Sequence, residues 1–482
     1  MKILVLCLTP RELIVVDRRV LNQCHILAND GWDVELTVPT SGESLVESFN
    51  GITLRSFHFK YDTMEIEASR AYVSEVLDIP SDYRELCKIL PIPTSLTLTE
   101  DHFEELKLVN RDHPLDRYLL TVSFINIIKE INPDVVYCAD YHGIISAYVA
   151  HKELQIPYVI DSHEYCLSHS VGSTDASKLI RYIESKCFLY ARQLLTVSYD
   201  FSSLYRLEYG KDCNPLVYHN TPVPAPVMED IDIRKTLNLL QQDKIVIFHG
   251  GLSLYKRNLE NLLKSAKYLK EHRTHILFMG YGALAQTIQG SNYSNVHYLP
   301  PVSQDILQNV VRQVNFVIIP YIAQDINQLL CAPNRLFDAL SSKIPILGNS
   351  KIISVSSIID KFGIGLTGPM TTPKEIADLI GQALSCENQM REAYEDNASN
   401  IEYLYGYDMQ KDVIKYVSSQ LKLIVKERTV NPISQFTRDL YMEHICSLLV
   451  SDETDKAYNL INDLINKYPN IHEAKSLLNL NT

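Results

Sequence analysis

Two series of short apolar runs alternating with helix-period stripes, separated by one proline-rich break, constrain this chain more than any other feature of its sequence. Parallel strands buried on both faces read as continuous apolar runs, and the helices that connect them read as 3.6-residue stripes. Residues 3–8 are the first such run. Val20, Leu21, Cys24, Ile26, Leu27 and Ala28 then fall on a helical stripe, Asn29-Asp30-Gly31 ends it, and 34–38 returns as a strand. Runs at 133–138, 157–161 and 194–198 continue the series, with a helix over 144–154. The pattern predicts a parallel sheet covered by helices.

Thr221-Pro222-Val223-Pro224-Ala225-Pro226 and the polar stretch behind it break the series, placing a linker at 222–243. A second series opens at 244–251 with a strand and a glycine turn, followed by a helix over 259–269 and strands at 275–279, 295–299, 316–319 and 344–347. The expected architecture is α/β: two Rossmann-like domains, 1–221 and 244–429 with its closing helices, facing a cleft. From about 430 the pattern is helical only. Ala457, Leu460, Ile461, Leu464 and Ile465, then Tyr468-Pro469-Asn470, resemble one tetratricopeptide unit with a partial second. Fewer than three such repeats rarely stand alone, so a TPR-like tail at 430–482 is expected to pack on the body or on a second copy. Residues 60–115, with Pro80, Pro91, Pro93 and Pro114, interrupt the rhythm. They read either as a segment that holds a variable substrate or as a surface excursion.

Composition excludes some functions. With 45 Lys and Arg against 58 Asp and Glu, the formal charge is −13, and no stretch concentrates the basic residues that nucleic acid demands. The ten cysteines are at least 17 positions apart, so no zinc or redox spacing exists. The apolar run at the N-terminus ends at Thr9-Pro10-Arg11-Glu12, too early for a signal peptide, and no run approaches the ~20 apolar residues of a membrane span. A cytoplasmic protein is expected, with at most peripheral contact at the inner membrane. No nucleophile elbow, Walker loop or His-Glu-x-x-His is present, and Asp230-Ile231-Asp232 reads as a solvated pair, so no metal is indicated.

The sharpest segment is Ala332-Pro333-Asn334-Arg335-Leu336-Phe337-Asp338-Ala339-Leu340, followed by Ser341-Ser342-Lys343-Ile344-Pro345. It resembles the Pro-Asn-Lys-Leu-Phe-Glu pattern of GT-B glycosyltransferases, family 4 and its bacterial surface-polysaccharide relatives. Asp17-Arg18-Arg19-Val20, Asp161-Ser162-His163-Glu164, His249-Gly250-Gly251-Leu252 with Lys256-Arg257-Asn258, and Gly280-Tyr281-Gly282 resemble further family motifs in the family's order. The likeness covers residues 1 to about 425.

The resemblance implies a nucleotide-sugar donor, a substrate and not a cofactor, whose departing diphosphate must be met by positive charge. Arg257 is the expected cation, with Lys256 beside it and Gly250 and Gly251 bringing backbone N–H groups close. Asp338 corresponds to the carboxylate that accepts from the ribose hydroxyls. Arg335 reads as a phosphate contact or a cover for the helix start, and Asn334 as a donor contact or a cap. Gly280 and Gly282 read as a base or sugar contact or as a plain strand-to-helix turn. On the acceptor side His163 and Glu164 follow one strand and Asp140 and His142 another, placing them to orient or deprotonate an acceptor hydroxyl or to shape the loop. Asp17 and Arg19 belong to a turn facing the same cleft.

Two positions depart from the family. Leu330 stands where a first acidic residue is frequent, and Tyr137-Cys138-Ala139 where His-x-His is frequent. Both missing groups touch the transferred sugar in relatives that carry them. The reading is a metal-independent, retaining glycosyltransferase acting on a glycan or lipid-linked glycan hydroxyl of a capsule, lipopolysaccharide or exopolysaccharide. Its rivals are a catalytically silent subunit that binds a partner through the tail and a GT-B-shaped sugar-nucleotide epimerase.

Overall fold

The computed structural model describes residues 1–59, 63–77, 79, 115, 118–166, 174–210, 213–253, 257–270, 273–430 and 454–467. The first sheet contains β1 (Lys2–Cys7), β2 (Asp33–Thr40), β3 (Leu45–Phe49), β4 (Ile52–His58), β5 (Val135–Ala139), β6 (Tyr158–Ser162), β7 (Gln193–Thr196) and β8 (Leu216–Val217). Their order is β3-β4-β2-β1-β5-β6-β7-β8. The second contains β9 (Lys244–His249), β10 (Thr274–Met279), β11 (Val296–Leu299), β12 (Phe316–Ile319), β13 (Ile346–Asn349) and β14 (Gly365–Gly368), in the order β11-β10-β9-β12-β13-β14.

All pairs are parallel except β3 with β4. Residues 3–7 and all of β5 are buried, as a sheet covered on both faces requires. The β3–β4 hairpin lies outside the strands that apolar runs predict, because β3 is mostly exposed. Its sequence signal is Asn50-Gly51, with φ of 48° and 84°, the two positive angles of a tight hairpin turn.

Apolar clusters fill both faces of each sheet. The proline-rich linker is not a loose tether. Pro222, Pro224 and Pro226 have no N–H to donate, and Gln308, Asn309 and Arg312, in and just beyond the helix Gln304–Val311, bond several of the linker's other backbone groups. Gln308 accepts from the Ala225 N–H at 3.0 Å and donates to the Val223 carbonyl at 2.6 Å, and Asn309 accepts from the Met228 N–H at 2.9 Å.

The chain crosses between domains twice. Helix Glu387–Tyr405 packs on the second domain, whereas helix Tyr407–Val430, expected within the 244–429 unit, buries Ile414, Val417, Leu421 and Val425 against the first domain's Leu27 and Trp32. Trp32 Nε1 donates to Ser418 Oγ at 2.7 Å, and Lys422 pairs with Asp30 at 2.6 Å. Of the helical tail, Thr454–Lys467 is a helix with Ala457 and Ile461 buried, and the remaining tail positions lie outside the described residues. The 60–115 segment includes the helix Thr63–Val76, and most of the rest of it lies outside them too.

Candidate functional site

In each sheet the chain leaves the first strand to one side and later returns to the other, so β1 lies between β2 and β5 and β9 between β10 and β12. The carboxyl ends at such a reversal are where open α/β sheets hold ligands.

At the end of β9, Gly250 takes a φ of 103° that favours glycine. A Cβ on Gly280 would stand 1.9 Å from the Gly250 carbonyl oxygen, and one on Gly282 would stand 2.7 Å from that of Leu252. Gly250 N–H donates to the Met279 carbonyl at 2.9 Å and Leu252 N–H to that of Tyr281 at 2.6 Å. The turns after β9 and β10 are zipped backbone to backbone, and space alone accounts for Gly280 and Gly282.

Two arginines converge on the β9 turn. Arg257, just before the helix Leu259–Leu269, folds back so that Nη1 donates to the Gly251 carbonyl at 2.5 Å. A Cβ on Gly251 would stand 2.5 Å from that same nitrogen, so the glycine makes the room that the arginine fills. Arg335, in the helix Asn334–Ser342, is buried, with its guanidinium 3.9 Å from the Phe248 ring centroid and 5.0 Å from that of Tyr321. Its Nε donates to the His249 carbonyl at 3.0 Å, Nη2 to the same oxygen, and Nη1 to the Tyr321 hydroxyl. Burial lowers its pKa, and the charge of Arg257 adds to that. Neither guanidinium has a carboxylate within ion-pair distance among the described residues. Lys256 lies outside those residues.

Asp338 is 1% exposed. Its Oδ1 accepts from Arg18 Nη1 at 2.5 Å, across the cleft, and from Gln304 Nε2 at 3.1 Å. Its Oδ2 faces His249 Nε2 at 3.7 Å, beyond hydrogen-bond reach. That buried nitrogen has no hydrogen-bond partner among the described residues, and burial brings the pKa of His249 down to about 4. Asn334 does not cap its helix; its Oδ1 accepts from Asn220 Nδ2 at 2.6 Å.

On the acceptor side Asp161, fully buried at the end of β6, accepts from Arg19 Nε at 2.8 Å, Arg19 Nη2 at 2.5 Å and Gln23 Nε2 at 2.7 Å. Burial alone would raise its pKa; Arg19, then His163, hold it well below the usual carboxylate range. His163 Nε2 lies 3.0 Å from Asp161 Oδ2. Burial opposes a charge on His163, but Asp161 outweighs it and raises the pKa.

Asp140, which follows β5, has φ 73° and ψ 177°, a conformation almost confined to glycine. Its N–H donates to the Asp161 carbonyl at 2.8 Å and its Oδ1 accepts from the His163 N–H at 3.3 Å, so the two loops hold each other. Burial of the carboxyl pushes its pKa up to about 6, against the opposing pull of His163. His142 is buried against the Tyr141 ring. Exposed Glu164 reaches the opposite domain, where Asn327 Nδ2 donates to its Oε2 at 3.3 Å. Asp17 is the cap of helix Arg18–Asn29, accepting from the Val20 N–H at 3.3 Å and from Thr9 Oγ1 at 2.6 Å. Ala139 is buried at the end of β5, and Leu330 packs against the first domain's apolar core.

The residues thus form two groups, one centred on each domain and the second completed by Arg18 from across the cleft. Asp140, His163, Asp161 and Arg19 make one; Gly250, Gly251, Arg257, Arg335 and Asp338 make the other. Arg18, His249, Gln304 and Tyr321 belong to the second group; Arg18 and His249 stand inside family-like motifs without a role assigned to them, and Gln304 and Tyr321 stand in none. Arg18 had a further signal: two adjacent arginines at a helix N-terminus oppose the helix dipole and so favour carboxylate partners.

Solved structures of similar architecture cover this chain almost up to its tail. Sucrose-phosphate synthase from Thermosynechococcus elongatus superposes with a TM-score of 0.59 at 12% identity, over 88% of this chain and 100% of its own. Anabaena HepE in complex with UDP and glucose gives 0.58 at 12% identity, over 87% and 100%. WaaG, a glycosyltransferase involved in lipopolysaccharide biosynthesis, gives 0.54 at 11% identity, over 86% and 99%. The fold is that of the GT-B glycosyltransferases. No protein-family profile matches the chain, and no curated protein matches it in sequence. No described helix is long and apolar enough to cross a membrane.

Proposed function

We propose that the chain is a glycosyltransferase that moves a sugar from a nucleotide-sugar donor to a hydroxyl of a growing bacterial glycan. The observation that carries this reading is the pair Arg257 and Arg335, two cations on one glycine turn with no described carboxylate in ion-pair contact with either, only Asp338 acting on Arg335 from further off. Like charges held together in a cleft favour an anionic ligand. A sugar diphosphate, with about two negative charges, matches them.

Transfer breaks the bond between the anomeric carbon and the phosphate oxygen and forms one from that carbon to the acceptor oxygen. With retention, the acceptor attacks from the face the diphosphate leaves, and its proton passes to the departing phosphate oxygen. Arg257 stabilises that oxygen's growing charge. Arg335 holds the turn that Arg257 covers, Asp338 receives the ribose hydroxyls, and Asp140 with His163 orients the acceptor. Because Asp161 and Arg19 fix His163 in place, the acceptor group meets a preorganised site.

Calorimetric titration with UDP, GDP, CMP and dTDP sugars, repeated with Arg257→Ala and Asp338→Ala, tests the reading. The UDP and glucose seen in the HepE complex make UDP-glucose the first donor to try. Binding by the wild type that both variants lose by at least tenfold supports the donor site. Leu330, apolar and docked on the other domain, favours the silent-subunit reading if no nucleotide sugar binds at millimolar concentration.

A further inference from the structure

The carboxylate assigned to the donor ribose is already engaged. Arg18 and Asp338 are 320 residues apart in sequence, on opposite domains, with side chains only 8% and 2% exposed. Arg18 is anchored on its own side, where Nη2 donates to the Asn220 carbonyl at 2.7 Å and Nε to Asn220 Oδ1 at 3.3 Å. Asn220 in turn donates to Asn334 at 2.6 Å. A buried guanidinium without a carboxylate is strongly disfavoured, and the same holds for Asp338 without a cation. Each half therefore holds the other until a better partner arrives.

A nucleotide offers each a substitute, an anion for the arginine and two hydroxyl donors for the carboxylate. The two ribose hydroxyls can donate to both carboxylate oxygens, to Oδ2, which faces the His249 nitrogen at 3.7 Å, and to Oδ1, which Arg18 now holds, and a diphosphate can compensate the arginine released from it. Arg18 and Arg335 both act on buried His249, as does Asp338, so these groups share one electrostatic environment. Arg18, Arg257 and Arg335 against Asp338 leave an excess of two positive charges, close to the charge of a sugar diphosphate.

We infer that Arg18 is an interdomain latch that ties the two domains together by occupying Asp338, and that a donor nucleotide must take Asp338 from it. This rests on the donor-site reading above. Binding therefore works against the latch, and the donor's differential affinity for the released state sets how far the domains move.

Two measurements on the full chain separate the parts. Small-angle X-ray scattering without nucleotide compares wild type with Arg18→Gln and Asp338→Asn, which break the pair from opposite ends. Both variants are expected to show a larger radius of gyration with an unchanged far-ultraviolet circular dichroism spectrum. Scattering identical to wild type in either folded variant overturns the latch. Calorimetry with UDP, GDP and ADP is expected to show at least threefold tighter binding by Arg18→Gln. Equal or weaker binding overturns the competition. If none of the three binds either protein, the nucleotide reading and the competition fall together, and the scattering alone decides whether Arg18 holds the domains.

Discussion

Arg19 grips Asp161 with two nitrogens, Nε 2.8 Å from Oδ2 and Nη2 2.5 Å from Oδ1, with both side chains shut away from water. Arg19 also lies 4.8 Å from the Tyr218 ring centroid and donates to the Tyr218 carbonyl, so one side chain joins β6 to the strand-end segment that precedes the domain crossing. Removing one partner of a buried pair leaves the other uncompensated, at about 3–5 kcal/mol. Arg19→Met should destabilise the protein by that amount in urea denaturation. A loss below about 1 kcal/mol would mean that Asp161 finds water.

Gly280 offers a steric test. Its missing Cβ would sit 1.9 Å from the Gly250 carbonyl oxygen, a backbone atom that cannot swing aside. Gly280→Ala should lower stability by roughly 2 kcal/mol or more, as strain at a special backbone site does. Gly381, in the helix Pro373–Ser385 with nothing within 4 Å of its Cβ position, is the control. Gly381→Ala should raise stability by about 0.5–1 kcal/mol.

Gly251 separates folding from binding. The atom its Cβ would meet is the end of the Arg257 side chain, which can move. Gly251→Ala should leave the melting temperature within a few degrees of wild type and weaken nucleotide-sugar binding about tenfold or more by displacing Arg257. Unchanged affinity would show that Arg257 does not touch the diphosphate.

Acid should loosen the fold through buried histidines. Burial lowers the pKa of His249 and His219 to about 4, and His275 and His297, whose ring nitrogens meet at 3.0 Å, are lowered as well. Between their folded values and the ~6.5 of an unfolded histidine, the unfolded chain binds more protons. The contribution of these histidines is then complete above pH 6.5 and falls as pH drops, by about 1.4 kcal/mol per pH unit for each histidine titrating in that window. Asp140, raised to about 6, and His163, raised by Asp161, work the other way, but as two groups against these four and His25, which burial also lowers. Denaturation midpoints from pH 7.5 to 5 should decline, and His297→Asn should flatten the upper part of that decline.

Asp140 should set an acid limb of catalysis. If its carboxylate orients the acceptor hydroxyl, transfer requires the deprotonated form and kcat/KM falls below an apparent pKa near the value of about 6 that burial imposes. Asp140→Asn should lower the rate and erase that limb. A limb that survives in the variant would assign it to another group.

Much of this was legible from local pattern. The helices Ile144–Leu154 and Leu259–Leu269 begin and end where their stripes do, and every strand of the second sheet except β14 shows as an apolar run. β14, Gly365–Gly368, escaped because two of its four residues are glycine, and β3 because its side chains face water. The glycine turns were legible as turns. That the carbonyls of another turn demand glycine at 280 and 282 could not be seen without the packing.

The sequence by itself determined the two α/β domains, the break between them and the residue types at the strand ends, because periodicity and turn chemistry act over a few residues. Only the tertiary structure decided that Arg18 closes on Asp338, that Leu330 docks on the opposite core and that helix Tyr407–Val430 returns to the first domain. Those pairings join residues hundreds of positions apart. Which buried charge meets which is set by the position of whole domains, and no local pattern encodes it.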